Sequence, residues 1–184
     1  GLDRGASSSQ PGPDSQRHGL RVLMAEDNEV NRLVLEDMLQ RYGCLTSIAC
    51  NGAEALAQLA AGPFDVVVSN PPYVPSDAPL RGTGPNRAWD AGADGRVVLD
   101  QLCDLAPDLV APGGSMLIVH SEFSDPPQTI RRLEQAGFES RQVAARVVGF
   151  GPVMHAYTDR LEAAGLLEPG RRTEELVVIR VDRR

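Results

Sequence analysis

Short apolar runs alternate with segments of helical periodicity along this chain, and this alternation constrains the fold more than any other feature. The runs are rich in Val, Ile and Leu and are short enough to be buried strands. Strands that alternate with helices predict an α/β fold with a single doubly wound, mostly parallel sheet. The predicted strands are 20–25, 45–49, 64–69, 115–120, 139–148 and 174–181, and the predicted helices are 28–42, 53–60, 97–109, 127–136 and 155–164.

Two of the predicted helices carry apolar residues at helical spacing. In the helix 28–42 these include Val30, Leu33 and Val34. In the helix 53–60 the spacing predicts that Leu56 and Leu59 point toward the core.

The acidic composition disfavours nucleic acid as a partner, because phosphate binding needs a basic surface. The net charge is −7 at pH 7, and all 18 basic residues are Arg, so the chain has no Lys. No apolar run approaches the roughly 20 residues of a membrane-spanning helix, so a membrane partner is not expected either. The composition identifies no protein partner.

The size and the cysteines predict one cytoplasmic domain. The three cysteines are scattered, which indicates free thiols in a reducing compartment. Residues 1–19 are rich in Ser, Gln, Pro and Gly and are predicted to be a disordered leader. The remaining residues, 20–184, suit a single hydrophobic core.

Residues 20–68 resemble the opening of a response-regulator receiver domain from a two-component system, of the kind attached to hybrid histidine kinases. The resemblance rests on residues 21–32, 49–56 and 64–67, which agree with that family in order and spacing.

The receiver resemblance implies that Glu26 and Asp27 are candidates to bind Mg²⁺, which prefers hard oxygen ligands. A phosphorylated Asp is implied at the end of the third strand, where this chain has Asn70. An amide is not a competent nucleophile for that step, and the Lys that the family needs is missing as well. Capping of the first helix and interaction with its dipole are the alternative role of the two acidic residues.

Residues 64–184 resemble a different family, the class I methyltransferases that modify glutamine N5 in translation release factors. The central motif is Asn70-Pro71-Pro72-Tyr73, directly after a predicted strand. The resemblance implies that the Asn70 side-chain oxygen and the Pro71 carbonyl accept hydrogen bonds from a substrate amide. It also implies that the two prolines fix the turn and that Tyr73 packs on the flat group of the substrate. Further similar segments are 87–95, 111–114, 121–123 and 170–180.

The cofactor half of such a methyltransferase is not recognisable. S-adenosylmethionine (SAM) in this fold lies over a glycine-rich loop after the first strand, and its ribose binds an acidic residue at the end of the second. Here residues 25–29 contain no Gly, and residues 49–51 contain no carboxylate. We therefore expect both parental cofactors, SAM and Mg²⁺, to have been lost, and the sequence identifies no catalytic residue.

The two resemblances overlap at residues 64–68, where a strand beside the first strand begins in both families. A flavodoxin-like first half can therefore join a Rossmann-like second half without changing the chain path. The methyltransferase resemblance implies that the last strand is antiparallel. The segments 26–28 and 69–73 should meet at one sheet edge, and imperfect packing is expected where the halves join.

Three functional hypotheses follow. The main hypothesis is a non-catalytic chimera of receiver and methyltransferase fragments. One alternative is a SAM-dependent N-methyltransferase that acts on a protein glutamine or a similar amide. The other alternative is a degenerate receiver that acts by partner binding without phosphorylation. His120, at the end of a predicted strand, is interpreted as a polar strand-end residue and not as a base.

Overall fold

A six-stranded sheet organises the part of the chain that the computed structural model describes, namely residues 19–26, 28–58, 62–76 and 91–184. Of the predicted leader, only Gly19 lies within these residues. The strands are β1 (Arg21–Ala25), β2 (Leu45–Ala49), β3 (Phe64–Ser69), β4 (Val110–Ser121), β5 (Glu139–Gly149) and β6 (Thr173–Asp182). The helices are α1 (Glu29–Arg41), α2 (Gly52–Gln58), α3 (Val97–Leu109), α4 (Pro126–Gln135) and α5 (Pro152–Ala163), with a 3-10 turn at Glu122–Ser124.

The strand order is β2-β1-β3-β4-β6-β5. Strand β1 pairs in parallel with β2 and β3, and β3 pairs in parallel with β4. Among these strands only β6 is reversed, since it pairs antiparallel with both β4 and β5. The predicted mostly parallel sheet with an antiparallel last strand is confirmed, and the fold is a mixed, Rossmann-like α/β sheet.

Helices lie on both faces of the sheet. The chain moves from β1 to β2 in one direction and from β2 through β3 to β4 in the other. Because crossovers between parallel strands are right-handed, α1 lies on one face and α2 and α3 lie on the opposite face. The sheet is therefore doubly wound, as predicted.

Strand β4 begins at Val110, earlier than the predicted start at Ser115. The intervening residues run close beside β3 instead of forming a free turn. A side chain at Gly114 would lie 2.8 Å from the backbone oxygen of Asp65, so only glycine permits this approach. The pairing register shifts at the same place, between Phe64 and Val66.

The main core lies between the sheet and the helices α3 and α4. Leu23 of β1, Val67 of β3 and Met116 of β4 lie at matching register positions and are all buried in it. Leu99 and Leu133 contribute from α3 and α4 and are fully buried. A second buried cluster, centred on α5, contains Val74, Phe150, Met154, Leu161 and Leu167.

The apolar residues of α1 remain at the surface. No residue of this helix is buried, and Val30 and Leu33 are 67% and 62% exposed. Its main described contacts are with β2 at the sheet edge, so its apolar positions have no described core to enter.

The predicted inward orientation of Leu56 is wrong. Leu56 is 52% exposed, whereas its neighbour Ala55 packs against the main core. Successive helix residues point about 100° apart, so Ala55 takes the inner position and Leu56 lies on the flank. Leu59 lies outside the described residues.

Candidate amide-binding site

The segment Asn70-Pro71-Pro72-Tyr73 follows the carboxyl end of β3, a central strand between β1 and β4. Ligands of doubly wound sheets bind at this edge, near the point where the strand order reverses. The side chain of Asn70 is exposed, whereas Pro71 is buried. The amide group of Asn70 is therefore accessible to a ligand while the residue after it is anchored.

The backbone carbonyl of Tyr73 is approached by two residues. The Ser124 hydroxyl donates a hydrogen bond of 2.7 Å to the Tyr73 carbonyl. A Cβ atom at Gly95 would clash with the same carbonyl oxygen and would lie 2.8 Å from the Ser124 hydroxyl oxygen, and Gly95 has a φ of +70°. Glycine alone tolerates both the close approach and the left-handed backbone. The end of the segment is thus fixed between two loops.

Arg96 connects these two loops. Its side chain is buried, and its Nη1 donates hydrogen bonds to the backbone oxygens of Ser124 and Asp125. Its Nη2 forms an ion pair of 2.7 Å with Asp100 on α3. A buried guanidinium is stable only with such partners. Because Ser124 in turn holds Tyr73, Arg96 supports the geometry of the segment.

A buried carboxyl lies near the Tyr73 side chain. Burial and the nearby charge of Glu174 raise the pKa of Tyr73 to about 12. Burial also raises the pKa of Glu174, although a hydrogen bond with the Ser121 side chain lowers it in part. The Oε2 atom of Glu174 has no hydrogen-bond partner among the described residues. The Tyr73 phenol is therefore protonated at neutral pH.

The Tyr73 ring is half-buried and packs against both apolar clusters. These contacts fix the ring between the two apolar clusters. Its predicted packing on the flat group of a substrate stays a prediction.

The carboxylate of Glu26, directly after β1, bonds to a neighbouring residue in the sequence. The Glu26 carboxylate accepts a hydrogen bond of 3.0 Å from the backbone N–H of Asn28, and the Asn28 side chain caps α1 by accepting from the N–H of Asn31. Asp27 lies outside the described residues. The described part of the chain holds no group of three or more His, Cys, Asp or Glu residues that could bind a metal ion. The Mg²⁺ role of Glu26 and Asp27 stays a prediction, and the observed contacts of Glu26 match the capping alternative.

The described residues at the ends of β1 and β2 do not fit SAM. The backbone N–H of Asn28 is already bonded to Glu26, so it is not free for the carboxylate of the cofactor. Glu54 lies near the end of β2, but its carboxylate accepts hydrogen bonds from Cys50 N (2.8 Å) and Asn51 Nδ2 (2.7 Å). The Asn51 side chain accepts from Glu54 N in return, so this carboxylate caps α2 and is not free for a ribose.

His120 is buried in the core side of β4. Its side chain is fully buried, and its Nδ1 lies 3.0 Å from the backbone oxygen of Ser121. Burial lowers the pKa of His120, so the ring is neutral at neutral pH. The residue lies near a strand end, as predicted, but it is part of the interior and not of the strand-end surface.

Sequence reasoning did not find the residues that support the site. Gly95 lies within a segment that resembles the methyltransferases, but nothing in the sequence shows that its backbone approaches Tyr73. Arg96 and Glu174 are charged residue types that are usually exposed, so their burial carries no sequence signal.

Comparison with known proteins finds partial relatives among methyltransferases. The chain is 33% identical over 100 residues to a Methanocaldococcus jannaschii protein named as an N5-glutamine methyltransferase, covering 54% of this chain and 51% of that protein. It is 41% identical over 68 residues to the release factor glutamine methyltransferase of Rhodospirillum rubrum, covering 34% and 21%. The chain spans about half the length, or less, of the curated relatives it matches.

Other comparisons are weaker. A two-component response regulator of Oryza sativa, ORR42, is 37% identical over 57 residues, covering 30% of this chain and 43% of that protein. The receiver resemblance, and with it the chimera, therefore has only weak support, and the hypothesis of a non-catalytic chimera is not supported. No family model matches the chain. Among solved structures, the E. cuniculi Mtq2-Trm112 complex matches with a TM-score of 0.48 and 19% identity, covering 96% of this chain and 98% of that chain.

No helix in the described ranges is both long and apolar enough to span a membrane.

The partial relatives show that the C-terminal part of the chain is similar to the release-factor glutamine methyltransferases.

Proposed function

We propose that this chain supplies the substrate-binding part of a SAM-dependent methyltransferase that acts on a carboxamide nitrogen, such as that of a protein glutamine. The observation that carries the proposal is the exposed Asn70 at the carboxyl end of β3, followed by a buried Pro71 and by Tyr73, whose carbonyl accepts a hydrogen bond from Ser124. The partial methyltransferase relatives favour this function over a chimera without catalytic role.

The residues of this chain recognise and orient the amide. The Asn70 Oδ1 and the Pro71 carbonyl each accept a hydrogen bond from one N–H of the substrate carboxamide. Two acceptors at fixed positions select a group with two donors and define the plane of the amide. The two proline rings limit the backbone freedom of the turn, so little entropy is lost when the substrate binds.

SAM, when bound, supplies an electrophilic methyl group. The described ends of β1 and β2 do not fit this cofactor, because their amide and carboxylate groups are already paired. The function of the described residues is therefore substrate recognition, and the exposed Asn70 is the group on which it depends.

The test measures binding of a glutamine-containing peptide and transfer of a labelled methyl group from SAM, with wild-type protein and two variants. Asn70→Ala removes one acceptor and should weaken peptide binding by roughly threefold to tenfold, the value of one hydrogen bond. Asn31→Ala, an exposed position on α1, is the matched control and should bind as the wild type does.

Methyl transfer that is lost in Asn70→Ala would show that the protein carries out the full reaction. Binding without transfer would restrict the chain to the substrate-binding part. Equal peptide affinity in wild type and Asn70→Ala would contradict the proposal.

A further inference from the structure

An apolar cavity of about 320 Å³ lies between α2 and α3, over β1 and β3. Ala55 and Leu56 line it from α2, and Leu102 and Leu105 line it from α3. The first pair belongs to the receiver-like half of the chain and the second to the methyltransferase-like half. The cavity therefore lies between the two segments with different resemblances.

The walls of the cavity are chemically uniform. Among the residues that the structure describes, Leu, Val and Ala side chains form most of the lining and no charged residue takes part. The polar lining residues are Ser69, Asn70 and Gln101. Small-molecule sites in proteins have volumes from about 300 Å³ upward, mostly apolar walls and a few polar groups that orient the ligand. An uncharged wall favours a neutral ligand, because an unpaired charge is costly to bury.

The polar end of the cavity coincides with the amide-binding site. Asn70 and Pro71 line the cavity and also provide the two proposed acceptors for a carboxamide. A cavity of about 150 Å³ is enough for a benzene ring, so the larger volume here accommodates two fused rings.

We propose that this cavity binds a flat, neutral aromatic carboxamide, with its rings between α2 and α3 and its amide on Asn70. The proposal rests on the amide site proposed above and adds a substrate class to it. An aromatic group attached to the amide fills the apolar volume that a glutamine side chain leaves empty.

The test is calorimetric titration with naphthalene carboxamide. The Ala55→Leu variant places a larger side chain in the cavity wall, and Ala57→Leu makes the same change at an exposed position of the same helix. Wild type and Ala57→Leu should bind the ligand alike, and Ala55→Leu should bind it roughly tenfold or more weakly, because the occupied volume is no longer available. Asn70→Ala should weaken binding as well.

A second measurement avoids the risk that Ala55→Leu unfolds. Nuclear Overhauser effects on the wild-type protein should connect the ligand ring protons with the methyl groups of Leu102 and Leu105, and their absence from a saturated complex would overturn the proposal. Failure of wild-type protein to bind, or equal binding by Ala55→Leu and Ala57→Leu, would also overturn it. The glutamine peptide separates the two proposals: it binds when only the aromatic ligand is wrong, and neither compound binds when the amide site itself is wrong.

Discussion

The Ser124 hydroxyl donates a hydrogen bond of 2.7 Å to the backbone carbonyl of Tyr73, across two loops that are far apart in sequence. This contact joins the turn after β4 to the segment after β3. It fixes the end of the proposed amide-binding segment, so changes that disturb it should act on both stability and binding.

A substitution of Gly95 tests whether the backbone carbonyl of Tyr73 is held this closely. Gly95→Ala forces a Cβ atom against the Tyr73 oxygen at 2.4 Å in addition to the cost of its positive φ, and we expect a loss of about 3 kcal/mol in the free energy of unfolding. Gly113→Ala is the matched control, because Gly113 has a similar φ of +77° with no atom within 4 Å. It should cost about 1 kcal/mol. Urea denaturation measures both, and equal losses would argue against the close approach at Gly95.

The buried guanidinium of Arg96 should contribute more to the free energy of unfolding than an exposed guanidinium does. Arg96→Met leaves two backbone oxygens without their donor and removes the ion pair with Asp100, and we expect a loss of about 3 kcal/mol in unfolding free energy. Arg41→Met breaks an ion pair of similar length with Asp37, but both side chains are exposed, so the loss should stay below about 1 kcal/mol. Denaturant unfolding of the two variants is the measurement. A small effect at Arg96 would show that the network does not hold the loops.

Glu174 should make stability depend on pH. Its folded-state pKa is raised above the ordinary value of 4.5, so folding favours the protonated form. The contribution of Glu174 to stability is therefore full below pH 4.5 and is lost as the pH rises through the folded-state pKa.

Glu174→Gln removes this titration. The variant should be more stable than the wild type at pH 8, and the difference should close below pH 4.5. Thermal unfolding across this range measures it, with Glu134→Gln on the exposed side of α4 as the control. A wild-type protein that is more stable than Glu174→Gln at pH 8 would mean that the buried carboxylate has a partner that compensates its burial.

Replacement of Leu99 or Leu33 by Ala compares the buried core with the exposed face of α1. Leu99→Ala removes a fully buried side chain and should cost about 2 to 5 kcal/mol. Leu33→Ala removes a side chain that is 62% exposed and should change stability by less than about 1 kcal/mol. The unfolding free energies of both variants check this. A large loss at Leu33 would show that α1 packs more closely than its exposure indicates.

Local sequence patterns predicted the parallel strands β1, β2 and β3 well. Strands β2 and β3 have the expected bounds, β1 begins one residue later than predicted, at Arg21, and the reversed β6 followed from the methyltransferase resemblance. The exposure of α1 and of Leu56 was not predictable, because helical spacing shows which residues share a face but not whether a neighbour covers it.

The site was predictable only in part. Asn70 and the prolines after it form a motif that the sequence displays. The clamp by Gly95, Arg96 and Ser124 depends on which loops meet in space, and this follows from the sheet topology and not from any local pattern.

The central claim is that Asn70 and Pro71 recognise the two N–H groups of a carboxamide. The most direct measurement is titration of the wild-type protein with three peptides that differ only at one residue, which is glutamine, glutamate or N,N-dimethylglutamine. Binding of the glutamine peptide alone is the predicted result, because the other two offer no N–H donor at that group at neutral pH. Equal binding of all three peptides would contradict the account.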